Sequence, residues 1–145
     1  MLKTGFYILV IAMIFCLLYG LLLVFNPEMI AESTLEARTG KTFTMVQEID
    51  VADVITVQTR HLGIFAVVAT IALIFILFKG FKQGERWAWY AFLITGILVW
   101  GYGLIVQISE GDMLNTILHV IGAALLLFGL FIPFKDFFGK AKAQE

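Results

Sequence analysis

Four stretches of this chain, 6–25, 59–78, 87–106 and 114–134, are almost wholly apolar over about twenty residues each. A bilayer's hydrocarbon core is ~30 Å thick and takes ~20 residues of helix to cross, so these runs have the length of membrane spans. Lipid offers no water to unbonded backbone groups, so each run must satisfy its own amides, which makes it a helix rather than a strand. Composition excludes a soluble reading: 61% of the 145 residues are hydrophobic and 14% charged, more apolar surface than a domain of this size buries. The expected fold class is all-α, a single integral membrane four-helix bundle with a structured extracytoplasmic loop between helices 1 and 2.

The net charge of −1 leaves no basic patch to release counterions from phosphates, so nucleic acid is not an expected partner. The distribution of cations is more informative. Lys3, Lys79, Lys82, Arg86, Lys135, Lys140 and Lys142 fall on one side of the alternating spans, and Arg38, Lys41 and Arg60 on the other. The positive-inside rule then predicts a multi-pass protein of the cell membrane with both termini cytoplasmic, an outer cap over 27–50 and a cytoplasmic tail over 135–145. Lys3 before the first run, with no small-x-small cleavage site after it, predicts a signal anchor that stays. Cys16 stands alone, which excludes CxxC thiol–disulfide chemistry and leaves a small core residue.

Asn26 closes the first run and Pro27 suits the first position of a new helix, with Glu28, Glu32 and Glu36 stacked on its solvated face. After the turn chemistry of 38–41, Phe43, Met45, Ile49 and Val51 alternate weakly, which allows an extended strand or hairpin arm. Asp50 looks like an N-cap for a helix continuing unbroken over 51–78, ~42 Å long, which must project from the membrane or tilt. Trp87, Trp89 and Tyr90 read as an aromatic belt at headgroup level. Phe134, Phe137 and Phe138 read as one face of a juxtamembrane helix lying on the leaflet.

Membrane helices approach one another through small residues. At ~100° per residue, Gly5, Ala12, Cys16 and Gly20 align on the first span, and Thr59, Gly63, Ala66 and Thr70 on the second. Gly96, Gly103 and Gln107 align on the third, with Asn115, His119, Gly122, Ala123 and Leu126 on the fourth. Gly20, Gly63, Gly96, Gly103 and Gly122 are therefore the expected packing residues. The same arithmetic turns His119 inward and His61 away from its stripe, with Arg60 flanking it.

An ionisable residue inside a bundle is a functional candidate by default. The ends of the spans gather Asn26, Arg60, Gln107, Glu110, Asp112, Asn115 and His119 on the side expected to be outer. One reading is a polar pocket opening outward, with Arg60, His119, Gln107, Asn115 and Asn26 as ligand-binding residues. The other makes Arg60 an interfacial anchor paired with Glu110 or Asp112, and His119 a hydrogen-bonded packing residue. Two histidines facing different ways, without HxxxH or CxxC, fall short of a metal site, so no metal and no cofactor is expected. A multidrug exporter would carry a carboxylate in its first span, and a channel would carry polar residues along whole spans; neither pattern is present.

Phe25-Asn26-Pro27-Glu28, Thr59-Arg60-His61-Leu62-Gly63 and Gly84-Glu85-Arg86-Trp87-Ala88-Trp89-Tyr90, in this order, resemble the layout of the DoxX-like group of small bacterial and archaeal four-helix membrane proteins. The resemblance implies the four-helix fold and carries no catalytic residue over. The leading expectation is a non-enzymatic protein that binds a lipid-like ligand or a membrane-protein partner through its outer polar end. The alternatives are a membrane enzyme acting on a lipid or quinone headgroup through Arg60 and His119, and an accessory subunit whose Gly stripes meet a second copy or a larger membrane complex.

Overall fold

The computed structural model describes residues 1–46 and 49–139; Gln47, Glu48 and the tail from Lys140 onward, with Lys142, lie outside the described residues. Among these every element is helical, in the order α1 (Leu2–Phe25), α2 (Pro27–Thr39), α3 (Ile49–Lys79), α4 (Arg86–Gly96), α5 (Tyr102–Glu110), α6 (Met113–Phe131) and α7 (Phe134–Phe138). A π turn, Ile97–Gly101, joins α4 to α5 without a break. Four helical stretches are long and apolar enough to cross a membrane: Leu2–Phe25, Val51–Gln83, Arg86–Ser109 and Met113–Phe131. The protein is an all-α, multi-pass membrane bundle.

The segment between the first two spans differs from the strand expectation. Phe43–Met45 is a single 3-10 turn, and the Phe43 amide donates to Glu32 Oε1 at 3.1 Å. With no second strand among the described residues, an extended arm would leave its amides unpaired, and the α2 carboxylate satisfies this one instead. Helix α3 already runs at Ile49, so Asp50 stands inside it rather than at its N-cap. Its 31 residues span ~46 Å, and α2 folds back over the projecting end against α3 and α1, burying Ile30 and Ala31.

Helix α1 is the central element, packed along α3 on one side and α6 on the other, while α4 and α5 pack on α6. Small residues set these distances. A Cβ on Gly63 would lie 2.7 Å from Leu23 Cβ and 2.9 Å from Gly20 O, and one on Gly20 would lie 3.0 Å from Val67 Cγ2. The third and fourth spans interlock as an antiparallel ladder in which a large side chain fills each glycine notch: Leu126 on Gly96, Trp100 on Gly122, and His119 on Gly103. Because α3 and α4 make only sparse contact, the ring of four spans is open along that flank.

At the α7 end the bundle is sealed by aromatics. Phe81, Phe92 and Phe137 are buried, with Phe81 centred 4.7 Å from Phe137 and 5.8 Å from Phe92. Trp89 departs from the belt reading. It is buried, and its indole N–H donates to Leu130 O at 3.0 Å, one of the carbonyls that the end of α6 leaves unpaired. Trp87 and Tyr90 remain half exposed. The tail likewise does more than lie on a surface, since Phe137 enters the core and its carbonyl accepts from Arg86 Nε at 2.9 Å.

Candidate functional site

The polar residues at the α2 end form a closed cluster at the turn between the third and fourth spans. Gly111, in the left-handed region at φ 73°, ends α5, and Asp112 caps α6 by accepting from the Asn115 amide at 3.0 Å through Oδ1. Its Oδ2 accepts from Asn115 Nδ2 at 2.7 Å and from the Thr34 hydroxyl at 3.2 Å. The Tyr19 hydroxyl donates to Asn115 Oδ1 at 3.1 Å. Asp112 is 1% and Asn115 2% exposed, so α1, α2 and α6 meet here with no opening. The carboxylate has a donor on each oxygen, which makes this buried anion tolerable.

One turn further along α6, His119 faces the interior. Its Nδ1 lies 2.8 Å from Asn115 O. A carbonyl only accepts, so Nδ1 carries the hydrogen, and in that tautomer Nε2 keeps a lone pair. The imidazole lies between the rings of Trp100, centred 5.4 Å away, and Tyr19, at 6.3 Å. Gly103 leaves the room it needs: a Cβ there would come within 2.5 Å of Nε2.

His119 also lines a cavity of about 120 Å³ at mid-span. Helix α1 contributes Cys16 and Tyr19 to it, α3 contributes Ala69 and Thr70, and α4 with the π turn contributes Thr95, Val99 and Trp100. Ala69 and Val99 are exposed, so the cavity is a cleft whose mouth lies between α3 and the third span, where the ring of helices is open. The π turn is part of its wall, and such turns recur at functional sites because the extra residue re-aims the side chains that follow. A second hollow of about 90 Å³, between α1 and α3, is lined by aliphatic and aromatic side chains and one methionine, with no polar side chain.

The residues expected to form one outward pocket are distributed differently. His119 lines the cleft, and Asn115 lies in the cluster above it. Gln107 is partly buried with its Oε1 unpaired, and lies outside the cleft lining. Asn26 is exposed at the N-cap position of α2 and makes no capping side-chain bond. Arg60 is exposed on α3, as is His61, and Arg60 forms no ion pair with Asp112, whose oxygens are engaged elsewhere; the Glu110 side chain lies outside the described residues. Among the described residues no three metal-ligating side chains converge.

Sequence reasoning missed Thr34, Tyr19 and Trp100. Thr34 shares the inward face of α2 with Ile30 and Ala31 at helical spacing, a signal that was available. Tyr19 and Trp100 flank or interrupt the small-residue stripes, where a polar aromatic in an apolar span is the only hint. In comparison with known proteins, the chain matches no family, no curated protein and no solved structure.

Proposed function

We propose that this protein holds a lipid-like ligand in a cleft that opens sideways into the bilayer at mid-depth. The observation that carries this reading is the combination of an open flank between α3 and α4 with a cavity behind it, apolar except for a few polar atoms. Binding sites for small apolar molecules are typically concave, mostly hydrophobic and furnished with a few placed polar groups. Access from the bilayer also fits the closed state of the α2 end, where a ligand arriving from water would meet a satisfied hydrogen-bond cluster. Arg60 is exposed and does not line the cleft, so the enzymatic alternative with Arg60 and His119 in one site draws no support from their positions. In this proposal the protein lies in the cell membrane with its termini cytoplasmic, and the DoxX-like layout remains a resemblance of arrangement.

The test is photolabelling in nanodiscs with a phosphatidylcholine that carries a diazirine in its acyl chain. Adducts are expected to concentrate on Ala69, Thr70 and Val99, and Ala69→Phe, which fills the mouth, should remove them. Adducts spread evenly over exposed faces such as Ile11, Phe75 and Ile105 would instead describe ordinary lipid contact and overturn the reading. A second copy or another subunit seated in the opening would show as a protein–protein crosslink through the same residues, and this would also count against a lipid occupant.

A further inference from the structure

The polar side chains lining the cleft have a common property: three of them already donate a hydrogen inside the protein. The Thr70 hydroxyl donates to Ala66 O at 2.7 Å, the Tyr19 hydroxyl to Asn115 Oδ1 at 3.1 Å, and His119 Nδ1–H to Asn115 O at 2.8 Å. What these groups still offer is lone pairs, and His119, 8% exposed, brings an Nε2 that has no partner. Thr95, the Trp100 indole N–H and the weakly donating Cys16 thiol keep a hydrogen to give, which the oxygen of a bound head can accept. A ligand that accepts but does not donate would leave the Nε2 lone pair buried and unmatched.

Charge narrows the class further. Among the described residues no Asp, Glu, Lys or Arg lines the cleft, so a phosphate, carboxylate or ammonium head would shed its hydration with nothing to replace it. Size narrows it again. A dry cavity of ~150 Å³ accommodates a benzene-sized guest, so about 120 Å³ takes a head and its first few carbons, while the rest of a longer molecule leaves through the mouth. We infer that the cleft selects a neutral, alcohol-headed apolar molecule whose O–H donates to His119 Nε2 and whose chain runs out between α3 and the third span into the bilayer. This rests on the cleft reading above.

Dodecan-1-ol and dodecyl methyl ether, each with a diazirine near the oxygen, separate the two ideas. The protein is the His61→Gln variant with ¹⁵N-labelled histidine in phosphatidylcholine nanodiscs, so that His119 alone reports. The alcohol should label the cleft residues about fivefold more than the ether, the size of one neutral hydrogen bond. It should also move the His119 Nε2 resonance toward its hydrogen-bonded position, which the ether leaves in place. Equal labelling by both with an unmoved resonance would overturn the donor requirement and leave the cleft reading standing. Labelling of the cleft by neither probe would overturn both.

Discussion

At the scale of single residues, Asp112 is the acceptor on which the cluster at the α2 end converges. It caps α6, holds the Asn115 amide group and receives the Thr34 hydroxyl from α2. Asp112→Ala removes a cap worth ~1 kcal/mol and leaves buried donors on Asn115 and Thr34 unpaired, ~1–3 kcal/mol more. The expected loss is about 2–4 kcal/mol, measured by denaturant unfolding in detergent micelles followed by circular dichroism. Asp112→Asn keeps a capping oxygen but turns an N–H toward the Asn115 amide, so it should fall between Asp112→Ala and Thr34→Val, the mildest of the three. If Thr34→Val were the most damaging, the carboxylate would not be the hub. Part of this cluster is legible in the sequence, since Asp112 after Gly111 is a capping pattern and Asn115 and His119 share a stripe with Gly122. The pairing with Tyr19 and Thr34 is not, because contacts across 96 and 78 positions depend on which helices become neighbours, and periodicity carries no information on that.

At the scale of elements, the glycine stripes were readable because close approach of two membrane helices needs small residues at a regular spacing, and a spacing is a sequence property. Their large partners were not, because a stripe shows where a notch lies but not which side chain fills it. The ladder of Leu126, Trp100 and His119 against Gly96, Gly122 and Gly103 therefore emerges only from the assembled bundle. It makes a graded prediction. Gly63→Ala sets a methyl against the α1 backbone and Gly103→Ala sets one against the imidazole, and overpacking of this kind costs ~1–3 kcal/mol. Gly101→Ala, where an added Cβ meets only Ile97 at 3.9 Å, should unfold at the same denaturant concentration as the parent. Gly103→Ala should also displace His119 and so weaken labelling at the cleft, whereas Gly63→Ala, on the α1–α3 crossing, should affect stability more than labelling. Equal losses from Gly101→Ala and Gly63→Ala would mean that close contact between helices does not set the cost, since helix propensity favours alanine at both positions.

At the scale of the whole molecule, folding sorts the cations by end. Met1 and Asp136 form an ion pair at 3.5 Å, Lys82 lies over the Phe6 ring, and Arg86 bonds the Phe137 carbonyl. The amino terminus, the 79–86 turn and α7 are thereby gathered at one end, and Lys3, Lys79 and Lys135 belong to these same elements. Arg38 and Lys41 lie at or just beyond the end of α2, on the opposite side of the bundle. For a bundle with such unequal ends the positive-inside rule predicts that the cation-rich end is retained in the cytoplasm. Accessible cysteines read this directly, in a Cys16→Ala background so that no thiol remains in the spans. Lys41→Cys is exposed at the α2 end and should react with an impermeant maleimide on intact cells, while Gln83→Cys, exposed in the turn at the α7 end, should react only after lysis. Lys41 is preferred to its neighbour Gly40, whose φ of 68° a side chain adopts only under strain. The reverse labelling pattern would invert the molecule and place the Asp112 cluster on the cytoplasmic side. The cleft itself would be unaffected, because its mouth faces the lipid from mid-span in either orientation.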